Sequence, residues 1–412
     1  MRHELPRRGR TAFAAISLSV LTITSASAGV ASAAPAVAGS RPAVSTQWTR
    51  LTPLTSDIID DIGLVRGGDG VLHVLWTTDG PGARRIMDSP VSARGTKLKP
   101  VTIATWFLTT DPDATATKSG LAVLWNGLQT GAPNGAMGTF EATRPRSGGS
   151  WSVSASHVEP LTAIPFTSSS DTATAGSDGQ PFVAFTGTDS LAVVHLGHPE
   201  VELGPTSRCC VEQAGLATDG RTGTTWITYA SIIGGHEGIF ARPLAASGQP
   251  AGPARLLPGS VTHGLILQPH QRVGTTGRGP GHPGVYVVYE HGYPFARSLY
   301  LLQLGSSHPR VVASLGHDAN LINATVTADT SGQLYVAWIT AGPAALFIRR
   351  SNPSLTTFGP VQRIPLPSGT TSVWKVYLSA DAGHADLLVL ATQHGRLADT
   401  AYWHARVSAP LR

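Results

Sequence analysis

Glu290 and His291 stand side by side directly after an aromatic residue, Tyr289, with Tyr293 two positions on. A carboxyl set against an aromatic ring loses part of its hydration, which raises its pKa towards that of a general acid. An imidazole exchanges a proton near neutral pH. The pair is therefore suited to acid–base chemistry. Arg272 offers a planar fork of N–H donors that matches a carboxylate, and His270 lies two residues before it. His236 and Glu237, Glu212, and His317 with Asp318 add further polar groups that could bind a substrate.

The two cysteines, Cys209 and Cys210, are adjacent. Neighbouring Cα atoms lie about 3.8 Å apart, below the usual disulfide range of about 4.4–6.8 Å, so a ring closed between them is strained. An exported chain with no other cysteine favours that vicinal disulfide, with free or metal-bound thiols and intermolecular links as the alternatives. Such a ring could lock a turn or form a rigid apolar platform under a ligand.

These residues sit in a recurring unit. A turn containing Asp or Gly precedes a short apolar run, as in Leu72 to Trp76, Leu121 to Trp125, Phe182 to Phe185, Trp226 to Tyr229, Tyr286 to Tyr289, Leu334 to Trp338 and Leu387 to Ala391. Six runs end on an aromatic, and from Trp76 to Ala391 the spacings are 49, 60, 44, 60, 49 and 53 residues. Repeats of this length built from strands predict propeller blades. Two β-sandwiches also supply many short strands, but they would not keep one turn–strand–aromatic unit. Each unit divides into four strands. In the sixth they are Asn323 to Ala328, Leu334 to Trp338, Ala345 to Arg350 and Val361 to Ile364. Asp69-Gly70, Asp178-Gly179, Asp219-Gly220 and Ser331-Gly332 supply hairpin turns that need positive φ.

The seventh unit lacks its outer strand, and Thr46 to Leu51 is an orphan strand pattern before the first. Bringing it round would remove an open edge. The expectation is an all-β, seven-bladed propeller with N-terminal strand closure, six blades being the alternative. In a four-stranded blade, the loop entering the first strand and the loop after the second share one face around the pore. That face should gather Glu290, His291 and Arg272 in one pocket, with Cys209-Cys210 as floor or wall. Blades one to three offer mainly Asp60, Asp61, Asp111 and Asp171 there, so the titratable and aromatic groups concentrate on blades four to six.

Composition bounds the class. At 412 residues, 41% hydrophobic and 13% charged, the chain can bury a large core and lacks the signature of disorder. Its 46 glycines and 30 prolines are turn-rich without low complexity. The net charge of +5 rests largely on Arg2, Arg7, Arg8 and Arg10. Those arginines, the apolar stretch Thr11 to Ile23 and the small-x-small site Ala31-Ser32-Ala33 predict an export signal over residues 1–33. Ala26-Ser27-Ala28 is an earlier cleavage option, and a short amphipathic helix the other reading of this stretch. A flexible leader, 34–45, and one domain, 46–412, follow. The remainder carries 26 basic and 24 acidic residues, so no nucleic-acid partner is expected. No transmembrane segment, no cofactor and no metal are expected in the mature monomer. Asp111-Pro112-Asp113 lacks the Gly turn and closing Glu of a calcium loop and is read as a polar loop. No nucleophile elbow, P-loop or His-Glu-x-x-His is present.

The unit Asp219-Gly220-Arg221-Thr222-Gly223-Thr224-Thr225-Trp226 and the stretch Gly284 to Pro294 resemble blades of secreted bacterial sialidase-like, BNR-type propellers. True sialidases carry Ser-x-Asp-x-Gly-x-Thr-Trp boxes, and Arg221 stands where the box needs its Asp. Their early Arg-Ile-Pro motif has its only counterpart at Arg363-Ile364-Pro365, in an expected outer strand, so no sialidase site residue carries over. The resemblance implies an extracellular carbohydrate partner. Two function classes follow: a glycoside hydrolase or lyase, and a non-catalytic propeller that binds glycan or cell envelope. A quinone-dependent redox propeller would use a vicinal ring, but its docking repeats are absent.

Overall fold

In the computed structural model the closing aromatics Trp76, Trp125, Phe185, Tyr229, Tyr289 and Trp338 are all buried, each on the second strand of its own sheet. The structure describes residues 46–412 apart from 56–60, 81–82, 129–137, 155–158, 161–170, 187–189, 206–213, 234–235, 261–271, 292–297, 316–320, 342–343, 382 and 410–412.

Seven antiparallel sheets form, one per repeat. Their innermost strands begin at Gly63, Asp113, Thr172, Gly215, Thr275, Leu321 and Thr370, and each touches the next in cyclic order, the last meeting the first. This is a seven-bladed β-propeller. Both faces of a blade are covered by neighbours, so inner strands read as continuous apolar runs rather than alternating ones. Leu387, Leu388, Val389, Leu390 and Ala391 are all fully buried for that reason.

Strands nearest the axis have the least room, and in blades two to four their sequences are small: Asp113–Ala116 reads DATA, Thr172–Ala175 TATA and Gly215–Thr218 GLAT. A Cβ on Gly63 would lie 2.8 Å from the Pro112 carbonyl of the next blade. Further out, large rings fill the widening wedge: Trp106, Trp125 and Phe140 lie with centroids 4.2–6.2 Å apart.

Closure follows the expected route. Thr49–Arg50 pairs antiparallel with the third strand of blade seven, Thr400–Ser408, in the register Thr49↔His404. Leu51 continues that edge with a 2.9 Å bond to the Tyr402 carbonyl and is 1% exposed. The sixth blade has strands Leu321–Ala328, Leu334–Ala341, Ala344–Arg350 and Gln362–Ile364, close to those expected and longer at the channel end.

One turn differs. Gly70, Gly179 and Gly332 have positive φ, but at the Asp219 turn that conformation falls on Gly223 (φ 73°) and not Gly220. The Asp219 carboxylate accepts from the Arg221 and Thr222 amides, opening a longer turn that Gly223 closes onto the Asp219 carbonyl. Gly220 serves close approach instead: a Cβ there would collide with the Gly279 carbonyl of blade five. Among the described residues no helix is long and apolar enough to cross a membrane.

Candidate functional site

The entrance aspartates of blades one to three, apart from Asp60, which lies outside the described residues, are buried at the channel mouth. Asp61, Asp111 and Asp171 are 0% exposed and Asp113 5%. Arg272, which enters blade five, reaches across the channel to them. Its Nη1 lies 2.9 Å from Asp113 Oδ1 and its Nε 3.6 Å from Asp61 Oδ2. From blade seven, Lys375 Nζ lies 3.3 Å from Asp61 Oδ1, and the Tyr377 hydroxyl donates to the same oxygen. Asp113 also accepts the Ala173 amide at 2.8 Å. Burial pushes the Asp113 carboxyl up, while the Arg272 charge beside it and the amides pull it down. Burial opposes the Arg272 charge, but Asp113 and Asp61 hold that guanidinium above its ordinary value.

This cluster sits over a channel of about 180 Å³, lined by the inner strands and by Asp113, Arg272, Asn323 and Tyr377 among others. Blades six and seven are joined at the same level, where the Val376 amide donates to Asn323 Oδ1 at 2.8 Å. Among the described residues no three His, Cys, Asp or Glu converge as metal ligands.

A second pattern explains where Glu290 sits. In blade one the residue after the closing aromatic Trp76 is Thr77, whose hydroxyl donates to Asp111 at the entrance of blade two. In blade two the residue after Trp125 is Asn126. Its amide and side-chain nitrogens donate to Asp171 of blade three at 2.8 and 2.9 Å, and Thr110 adds a 2.6 Å bond. In these two blades the position is thus an inter-blade latch. In blade five it is occupied by Glu290, after Tyr289. The ladder register Thr275↔Val287, extended by the Val288 amide bonding the Gly274 carbonyl, sets Arg272 opposite Glu290. Arg272 nevertheless pairs with the aspartates, and the Glu290 carboxyl has no hydrogen bond or ion pair among the described residues. Glu290 keeps some exposed surface, yet desolvation pushes its carboxyl up to about 7.

His291 parts company with Glu290. Successive strand residues face opposite sides. The His291 Nδ1 lies 2.7 Å from the Gly259 carbonyl, and its ring stacks on Tyr300 at 4.8 Å. Of the described residues of the expected pocket, Arg272 lines the channel; Glu290 sits opposite it in register, and His291 is held between Tyr300 of its own blade and the Gly259 carbonyl that follows the outer strand of blade four. His236 opens the third strand of blade four, and Glu237 beside it is half-buried. His270, Tyr293, His317, Asp318, Glu212, Cys209 and Cys210 lie outside the described residues.

Sequence reasoning read Asp113 as part of a polar loop, whereas it opens a buried inner strand, and it passed over Lys375, Thr77 and Asn126. The signals were there: Asp113 is a charge opening an otherwise small-residue strand, and Lys375 is the single charge in the apolar run Val373 to Leu378.

Asp171 makes this buried ring pH-sensitive. Desolvation raises its carboxyl to about 7. An unfolded aspartate releases its proton near pH 3.9, so between about pH 4 and 7 the folded state binds one more proton. Stability therefore falls as pH rises through that window, by about 1.4 kcal/mol per unit for one proton, and levels off above it. Denaturant unfolding of Asp171→Asn should lose that share of the slope. An identical slope in the variant would show that Asp171 titrates normally.

The chain matches no protein-family model and no curated protein. Solved structures similar to it include a catalytically inactive virginiamycin B lyase from Staphylococcus aureus with quinupristin, at 12% identity and TM-score 0.49, over 88% of this chain and 99% of that one. A polysaccharide lyase follows at 11% identity and TM-score 0.43, over 87% and 90%. A Hadza microbial sialidase is similar at 11% identity and TM-score 0.45, over 84% and 65%.

Proposed function

We propose that this protein is an exported β-propeller that acts on an extracellular glycan as a glycoside hydrolase or lyase, with Glu290 as the acid–base group. The observation that carries the reading is a desolvated carboxyl without a partner among the described residues, at a position where blades one and two spend the side chain on a latch. A carboxyl near pKa 7 is part protonated at neutral pH, so it can serve in either direction. As an acid it hands its proton to the glycosidic oxygen as the C–O bond breaks, and water supplies the hydroxyl at the sugar carbon. As a base it takes the proton next to a uronate carboxylate while the glycosidic oxygen leaves from the β-carbon.

A non-catalytic glycan-binding propeller is favoured by a different observation. Arg272 is spent on Asp113 and Asp61, and His291 on Gly259 and Tyr300, so neither stands ready beside Glu290.

Incubating the protein with acidic and neutral polysaccharides, following both reducing ends and unsaturated uronate absorbance, separates the two. Glu290→Gln is expected to lower turnover at least about a hundredfold with unchanged thermal stability. Retained affinity without turnover in the unaltered protein would favour the binder, and neither binding nor turnover across the panel would overturn both readings.

A further inference from the structure

The face opposite the channel mouth holds a larger cavity than the channel. It lies between blades five and six and has a volume of about 390 Å³. Two hairpins of blade five and the Ser354–Leu355 turn of blade six build it. It is within the usual range of small-molecule pockets, about 300–1,000 Å³.

Its charge is one-sided. Arg278, Arg310 and His308 line it, and among the described residues no carboxylate does. Asp219 acts on Tyr286 electrostatically, and its oxygens are taken by the Arg221, Thr222 and Gly284 amides. Arg278 is held in place by the Gly332 carbonyl at 2.7 Å from Nε and the Pro353 carbonyl at 3.0 Å from Nη2. Those two bonds and one to the Tyr286 side chain use three of its five N–H donors, so the fork is fixed and not exhausted. Arg310 opens the outer strand of blade five, exposed and without an ion pair among the described residues. The Tyr286 hydroxyl donates to Gln303 Oε1 at 3.1 Å, which fixes a ring in the wall. Leu301, Leu355, Pro283 and Pro309 complete an apolar surface too large for a bare ion.

We propose that this cavity binds an acidic sugar residue, its carboxylate or sulfate held by Arg278 and Arg310 and its ring lying against Tyr286 and Leu301. Guanidinium groups pair with such oxyanions through parallel N–H donors, and the apolar walls accept the faces of a pyranose ring. The choice of a sugar over another anion-bearing ring rests on the glycan reading above. The site itself does not, since it lies on the other face from Glu290. It would anchor an acidic chain away from the mouth, adding the avidity of a second attachment point.

The test is titration of the full chain with glucuronate, glucose and inorganic sulfate, followed by calorimetry. Glucuronate should bind with an affinity that falls as salt is added, sulfate more weakly, and glucose not measurably. Arg310→Gln, an exposed substitution, should weaken glucuronate binding about tenfold, and Arg278→Lys should do so while keeping a charge. Glu290→Gln should leave this binding unchanged, which keeps the outcome separate from that of the mouth. Glucuronate affinity indifferent to both arginine variants, equal affinity for glucose, or no binding of glucuronate would overturn the proposal. Equal affinity for sulfate and glucuronate would leave an ion site and remove the sugar.

Discussion

Arg272→Met is expected to destabilise the protein by about 3–5 kcal/mol in denaturant unfolding, because it leaves buried carboxylates facing each other without their shared cation. Asp113 suffers most. It is 5% exposed, and Arg272 at 2.9 Å is its charged partner, the amide of Ala173 being a neutral one. Asp61 keeps Lys375 and Tyr377 and should tolerate the change better. Adding Asp113→Asn to Arg272→Met should therefore recover part of the loss, giving a coupling of about 1–3 kcal/mol between the two positions. The magnitude also decides what Arg272 is for. A cost below about 1 kcal/mol, with no coupling to Asp113, would mean that the arginine is not a structural pin across the channel and is free to take a substrate carboxylate. A large cost makes it part of the frame on which the mouth is built.

Deleting residues 46–52 should have an effect at least as large, because it removes the strand that closes the ring. Burial of Leu51 alone is worth about 1.5–3 kcal/mol. The bonds from Leu51 to Tyr402, from Tyr402 to Thr52 Oγ1 at 3.0 Å and from Trp48 to the Pro365 carbonyl at 2.7 Å add about 1 kcal/mol each. Lys97 of blade one, 2.9 Å from both the Arg50 and Leu51 carbonyls, would lose its anchor on the closing strand. Arg66 of blade one would still bond Asp386 of blade seven at 2.5 Å, so the ring keeps a weaker tie. The expected result is a lower thermal midpoint, a broader transition and association through the exposed edge of Thr400–Ser408. A shortened chain that melts with the same midpoint and width would show that the closing strand contributes nothing.

The parts of this protein legible in its sequence are those decided by local pattern. Blade number, strand order and the route of closure follow from turn residues, runs of β-branched and aromatic side chains, and a count of strands that leaves one orphan at the start and one gap in the last unit. Each depends on residues within a few positions of one another, and all seven units repeat the signal, so the error in any one is outvoted. The turn at Asp219 was misplaced because a side chain capturing two amides lengthens it, and dipeptide rules see only the Asp-Gly pair. The site was legible only in its ingredients. Arg272, Glu290 and the aspartates of blades one to three could all be assigned to one face from strand counting. Which of them meet could not, because the pairs span separations such as Asp61 with Tyr377 and Asp113 with Arg272, and the distance across the channel is set by how seven sheets pack. Packing also chose the burial. A ring narrow at its axis desolvates whatever enters it, so carboxylates that read as loop polarity became the buried partners of one arginine and one lysine, and Glu290, on the second strand of its blade, was left unpaired among the described residues.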